Sequence, residues 1–239
     1  MTDAIHARGL TKRFGRLEVL KGLDLTLPRG RVTGLVGPNA AGKSTFIKSL
    51  LGLVYPDAGH LAVLGTHVNG DERYRHQLGY MPQAASFPGN LTGHEVLRMV
   101  QDLRPDTPAD PGPLVERFRL GGELAKPVRT LSGGTRQKLS AVVAFLFQPE
   151  LLILDEPTAG LDPIASGVLK DLVAECRARG ATVLLASHTL AELEEIADDI
   201  VFLLEGRVRF HGAVAELRAL TGEQRLERAV ATLMRENDR

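Results

Sequence analysis

Gly37-Pro38-Asn39-Ala40-Ala41-Gly42-Lys43-Ser44 lies between an apolar, β-rich run and a helix pattern, and this succession constrains the fold more than any other feature of the chain. Val32 to Val36 supplies the strand. Phe46, Ile47, Leu50 and Leu51 recur on one face of a helix that starts near Gly42. Strand, glycine-bounded loop, G-K-S and helix in that order present backbone N–H groups and a helix N-terminus to an anion. Lys43 brings a point charge for β- and γ-phosphates, and Ser44 a hydroxyl for Mg²⁺. Gly37 to Ser44, extended by Thr45, is therefore the candidate phosphate cradle. The plainer alternative is a glycine turn before an ordinary helix, and the motif alone says only NTPase. Ala40 lacks the φ freedom that a third glycine would have.

A second element narrows the reading. Leu151-Leu152-Ile153-Leu154 is a fully apolar run, as in a central parallel strand, and it delivers Asp155 and Glu156 to its C-terminal end. Alternation along the strand sends the two carboxylates in different directions. Asp155 suits an Mg²⁺ shell and Glu156 suits polarisation of an attacking water. Standing alone, Asp155-Glu156-Pro157 would read as the start of a turn; Lys43 upstream favours the chemical reading.

The rest of the chain is compatible with one such globular unit. It has 239 residues, 44% apolar and 24% charged, which excludes a disordered chain. Twenty-nine Lys plus Arg balance 29 Asp plus Glu, so no surface built wholly for nucleic acid is expected. The single cysteine, Cys176, excludes an internal disulfide and reads as core. No apolar run reaches the ~18 residues of a membrane span, and the segment Met1 to His6 lacks a signal-peptide layout. A cytosolic location is the expectation. The histidines His6, His60, His67, His76, His94 and His211 are scattered without metal spacing.

Strands are expected at Leu23–Leu27, Leu61–Leu64, Thr182–Ala186 and Ile200–Leu204. Residues 84–112 are rich in Pro and Gly. Helices are expected over Thr92–Leu103, with Val96, Val100 and Leu103 on one face, then Pro113–Leu120 and Ser132–Phe147. This stretch reads as a helical insertion without strands. Ile164, Val168, Leu172 and Cys176 form a stripe on a further helix. Residues 212–239 read as a charged helical tail with Leu226, Val230 and Leu233 on one face. Strand–helix–strand alternation around a helical insertion points to a parallel α/β core.

The sequence resembles the ATP-binding-cassette (ABC) ATPases over residues 4 to about 211. Leu131-Ser132-Gly133-Gly134-Thr135 looks like the ABC signature, with Thr135 in place of the usual Gln. Gln83 in Tyr80-Met81-Pro82-Gln83 matches the Q-loop, Asp162 in Ala159-Gly160-Leu161-Asp162 the D-loop, and His188 the switch histidine. Phe14 in Lys12-Arg13-Phe14-Gly15 holds the adenine-stacking position. The resemblance implies a P-loop NTPase fold with a parallel sheet core, an antiparallel β subdomain and an inserted helical subdomain. It implies one domain over 1–239, with a nucleotide-binding core (1–83 and 146–211), a helical subdomain (84–145) and a helical tail (212–239).

It also implies ATP hydrolysis with Mg²⁺. Gly37, Pro38, Asn39, Ala40, Ala41, Gly42, Lys43, Ser44 and Thr45 would hold ATP with Phe14, while Ser44, Gln83 and Asp155 would hold the metal. Glu156, His188 and Gln83 would be catalytic. Two subunits would sandwich ATP head to tail, Ser132, Gly133 and Gly134 reaching across the dimer and Asp162 at its interface. Ser132 is equally placed to cap the helix that follows it. The chain would bind polytopic membrane subunits on the inner face of the cell membrane, and no nucleic acid. Phe87-Pro88-Gly89-Asn90-Leu91-Thr92 with Glu95 looks like single-cassette exporter ATPases. Tyr80–Gln83 through Asp102-Leu103-Arg104, with Leu161–Ala165, is similar to the ATPase of nitrous-oxide reductase copper-site maturation. A drug, lipid or polysaccharide exporter and a soluble ABC ATPase acting on DNA or ribosomes are the alternatives.

Overall fold

A computed structural model describes residues 3–237; Met1, Thr2 and the last two residues of the expected tail lie outside the described residues. The chain runs β1 (Ile5–Phe14), β2 (Leu17–Leu27), β3 (Val32–Val36), α1 (Lys43–Leu50), β4 (Ala58–Val63), β5 (Thr66–His67), β6 (Leu78–Met81), α2 (Gly93–Asp102), α3 (Gly112–Arg117) and α4 (Gly133–Phe145). It continues with β7 (Leu151–Asp155), α5 (Pro163–Ala178), β8 (Thr182–Ala186), α6 (Leu190–Ile196), β9 (Asp199–Leu204), β10 (Arg207–Ala213), α7 (Val214–Thr221) and α8 (Leu226–Asn237).

Among the described residues these strands form two sheets. One is antiparallel, in the order β2-β1-β4-β5. The other has the order β10-β9-β3-β8-β7-β6, parallel from β9 to β6, with β10 turning back antiparallel on β9. The parallel strands are apolar on both faces because both faces are covered. Leu151 and Ile153 of β7, Leu35, Leu184 and Leu203 pack with α1 and the antiparallel sheet. Leu152, Leu154, Val183, Ile200 and Phe202 face the other way, onto residues of α4, α5, α6, α7 and α8. Alternation therefore splits each strand between two hydrophobic clusters. Arg31, just before β3, ties the starts of β3 and β9 together, its guanidinium donating to both Asp199 oxygens at 2.5 and 2.7 Å.

Several local expectations shift. β4 ends at Val63, and Leu64 takes a left-handed φ of 51° that turns the chain into β5. On α2, Val96 and Leu97 are buried while Leu103, just past its end, is exposed. On α5 the buried face is Ala165, Leu169, Leu172, Val173 and Cys176, and Ile164 is exposed. Strict i+4 spacing drifts off a 3.6-residue repeat, so its first member leaves the core. Leu226, Val230 and Leu233 of α8 are buried together. β1, β5, β6 and β10 are strands that the periodicity did not show. In β1 the pairing register to β2 shifts between Ala7 and Leu10, between Leu10 and Thr11, and between Lys12 and Arg13, which breaks its alternation. The same sheet brings together histidines far apart in sequence: the His60 ring lies 5.9 Å from that of His6 and stacks at 4.5 Å on His67. No group of three or more His, Cys, Asp or Glu among the described residues is arranged to hold a metal ion.

Candidate active site at the end of the parallel sheet

The loop after β3 is shaped by close contact with β9. A Cβ on Gly37 would sit 2.1 Å from the Leu203 carbonyl oxygen, so only glycine fits. Four residues into the loop, Ala41 N–H donates to the Pro38 carbonyl at 3.2 Å and closes a turn. Ala40 adopts a φ of 63°, so a side chain without special φ freedom is held in the left-handed region, at a cost of about 1 kcal/mol. Helix α1 then starts from Gly42 with no side-chain cap and no acidic residue in its first turn. Its first N–H groups and the positive end of its dipole are thus left for an anion. Lys43 Nζ donates to the carbonyls of Gly37 at 2.5 Å and Pro38 at 3.0 Å. Burial pushes the Lys43 ammonium below the usual lysine range, while Glu156 and Asp155 act in the opposite direction.

These residues form one wall of a cavity of about 580 Å³. Asn39 to Thr45 line it, facing Gln83, Asp155, Glu156 and His188. Gly37 and Pro38 stand behind the wall and hold Lys43. Burial raises the Asp155 carboxyl, and the nearby Glu156 adds to this, while Lys43 and Lys48 offset it. Asp155 and Glu156 line the same cavity, contrary to the expectation from alternation. The reason is that β7 ends at Asp155 and Glu156 turns into the left-handed region with a φ of 49°. Its N–H still donates to the Ala186 carbonyl at 2.8 Å, anchoring the turned residue to β8. The Glu156 side chain is about nine-tenths buried, and His188 reaches it twice: Nδ1 lies 2.6 Å from Oε2, and the His188 N–H donates to the same oxygen at 3.2 Å.

The signature segment and the D-loop meet on a different surface. Ser132 caps α4, its Oγ accepting from the Thr135 N–H at 3.1 Å. A Cβ on Gly134 would stand 2.8 Å from the Gly160 carbonyl oxygen, which seats the start of α4 against the D-loop. Asp162 caps α5 by accepting from the Ala165 N–H at 2.8 Å and pairs with Lys138 of α4 at 2.6 Å. Hydrogen bonding to Lys138, and then to the Ala165 N–H, holds the Asp162 carboxyl below the usual range. The buried Gln137 of α4 donates to the Pro82 carbonyl at 3.4 Å, next to Gln83. None of Ser132, Gly133 and Gly134 lines the cavity, and neither does Phe14. The Phe14 ring is half exposed, with Lys12 Nζ 5.5 Å from its centre. Leu17, paired with Phe14 across the hairpin, and Val19 line the cavity. Sequence reasoning missed these two and Lys138. A lining Leu or Val carries no chemical signature, and Lys138 acquires its partner only when α4 packs beside the D-loop.

A phosphate-cradling loop and two carboxylates at the C-terminal end of a parallel sheet, with a second, antiparallel sheet beside it, define a P-loop ATPase of mixed α/β fold. The sequence model of the ABC transporter family matches residues 20–159. The daunorubicin resistance ATP-binding protein DrrA3 of Streptomyces coeruleorubidus is 39% identical over 232 residues, covering 94% of this chain and 72% of that protein. The lantibiotic transport ATP-binding protein SrtF of Streptococcus pyogenes is 33% identical over 85% of this chain and 88% of its own length. A solved structure of an ATP-binding subunit of an ABC transporter superposes with a TM-score of 0.87 at 33% identity, covering 97% of this chain and 99% of that one. This chain belongs to the ABC transporter ATP-binding family and is an ATPase.

Proposed function

We propose that the chain is the ATP-hydrolysing subunit of an exporter, and that two copies close head to tail on two ATP molecules. The observation that carries this reading is the convergence of Lys43, Ser44, Gln83, Asp155, Glu156 and His188 on one cavity, while Ser132 and Gly134 stand on another surface. A signature segment that does not line its own chain's cavity is available to a second chain. The donor set suits Mg²⁺: a hydroxyl from Ser44, an amide oxygen from Gln83 and a carboxylate from Asp155 are hard oxygen ligands. The glycine-bounded loop, closed against Leu203, suits a triphosphate. When bound with ATP, Mg²⁺ neutralises charge on the phosphates.

The chain's own residues then divide the work. The α1 N-terminus and Lys43 bind the phosphates. Glu156 accepts a proton from the attacking water as it adds to the γ-phosphorus and the bond to ADP breaks. His188 holds the Glu156 carboxylate in place through its ring and its N–H. Because the site is split between two chains, ATP binding becomes a closing motion and hydrolysis releases it.

The exporter assignment draws on the daunorubicin resistance and lantibiotic transport relatives. The copper-maturation alternative rests on Tyr80–Gln83, Asp102–Arg104 and Leu161–Ala165 alone. No helix among the described residues is long and apolar enough to cross a membrane, so movement of a substrate is assigned to partners. Between β6, α2 and α4 lies a groove of about 310 Å³ lined by Leu53, Tyr80, Val100, Arg104 and Phe147, which suits a short helix of a membrane subunit.

The test is Glu156→Gln. It should keep ATP binding, lower hydrolysis by about 10²–10⁴-fold, and accumulate an ATP-dependent dimer in light scattering. Wild-type turnover in this variant would overturn the assignment of Glu156.

A further inference from the structure

We propose that Thr135 is a positioning residue that aims the Ser132 hydroxyl proton at the phosphate of a nucleotide held by the partner subunit. The proposal rests on the head-to-tail reading above. Ser132 Oγ has two neighbours, both from Thr135: the N–H at 3.1 Å and Oγ1 at 2.8 Å. A serine hydroxyl has one proton to give and two lone pairs to receive. When the Thr135 hydroxyl donates, both acceptor positions of Ser132 Oγ are filled from within the turn. The Ser132 proton then has no place in the turn and points outward, where Ser132 is exposed. The neighbouring groups leave that direction open. The Leu131 carbonyl already accepts from the Arg136 guanidinium at 2.7 Å, and Gly133 brings no side chain.

The first turn of α4 carries no acidic residue, so its positive dipole end strengthens a donor aimed at an anion. Either hydroxyl of the pair can be the donor. An arriving phosphate oxygen selects the arrangement in which Thr135 donates to Ser132 and Ser132 donates to phosphate, a two-step relay whose bonds strengthen each other. A side chain at 135 without a hydroxyl keeps the cap through its N–H but loses this control of direction.

The test uses the full chain, with Thr135→Val, Thr135→Ser and Ser132→Ala, each alone and with Glu156→Gln. Valine keeps the shape and the N–H, so the Tm of Thr135→Val should stay close to that of the parent; Thr135→Ala serves as a second variant. In the Glu156→Gln background, Thr135→Val should raise the ATP concentration for half-maximal dimerisation by about fivefold to tenfold, the weight of one hydrogen bond. In the active chain kcat/KM should fall by a similar factor, and Thr135→Ser should restore both. Adding Thr135→Val to Ser132→Ala should cost nothing further, because both act through one hydroxyl. If Ser132→Ala is costly and Thr135→Val is not, the proposal fails while the head-to-tail reading stands. If Thr135→Val is equally costly with or without Ser132, Thr135 acts elsewhere and the proposal also fails. If Ser132→Ala itself leaves ATP-driven dimerisation unchanged, the head-to-tail reading fails and takes the proposal with it.

Discussion

Three single residues of the candidate site hold backbone positions that their type does not favour or have partners that fix them. Ala40 and Glu156 both sit at positive φ, where a Cβ is strained. For Glu156 the strained turn places the carboxylate on the cavity wall, and substitution by glycine would remove that carboxylate. Ala40 offers a cleaner experiment. Ala40→Gly should raise stability by up to about 1 kcal/mol, the left-handed cost of alanine less the extra freedom of the unfolded glycine. This corresponds to about 2–4 °C in Tm, read by calorimetry; an unchanged or lower Tm would mean that Ala40 is unstrained in solution. Asp162 shows how a partner sets a charge. Its folded carboxyl titrates below the unfolded value because Lys138 and the Ala165 N–H bind the anion. The cap therefore stabilises α5 above the ordinary carboxylate range, and this contribution is lost as pH falls through the depressed folded value. Lys138→Met should move the Asp162 titration upward in a carboxyl-detected NMR series; an unmoved titration would remove Lys138 as the cause.

At the scale of elements, α4 touches three separate segments of the candidate site. From one helix, Ser132 and Thr135 present the signature turn, Gln137 reaches the Pro82 carbonyl beside Gln83, and Lys138 reaches Asp162 in the D-loop. A tilt of α4 therefore acts on all three. The segment after α2 is tied to the sheet by Arg104. Its guanidinium donates to the carbonyls of Arg75, His76 and Leu78 at 3.0–3.2 Å and lies 4.5 Å from the centre of the Phe147 ring. Removing it leaves three carbonyls without that donor at the entry to β6. Arg104→Ala should lower stability by about 2 kcal/mol, in line with hydrogen bonds to a charged group. It should also speed amide exchange over residues 78–81 more than over β8. Uniform exchange in both strands would show that Arg104 does not fasten this junction. Much of the element pattern was legible from the sequence. β3 and β8 have the expected bounds, since short apolar runs ended by glycine or a polar turn read clearly. β1 did not read as a strand because its bulges break the period, and β6 and β10 are completed only by neighbours from distant parts of the chain.

For the whole molecule, the division of labour is between a cavity on one surface and a signature on another. Under the proposed function this arrangement calls for a second cassette and for membrane subunits, and that is open to test. Tagged Glu156→Gln chain, solubilised gently from native membranes with ATP and Mg²⁺, should bring down a polytopic membrane protein at stoichiometric yield, identified by mass spectrometry. Recovery of ribosomal or DNA-processing proteins, with the chain absent from the membrane fraction, would favour the soluble class of ABC ATPases instead.

The sequence by itself offered the cradle and the two carboxylates as local patterns of residue types, each placed at the end of an apolar run, and offered the signature segment through its resemblance to a family. Tertiary structure alone decided which of them meet. The left-handed turn after β7 brings Asp155 and Glu156 into one cavity against the prediction of alternation. The register of β1 and β2 sets Leu17 and Val19 on its wall, with Phe14 paired to Leu17 beside it. The packing of α4 on the D-loop gives Asp162 its cation. Such contacts join residues tens of positions apart. They depend on backbone torsions and helix placement, which no local pattern encodes.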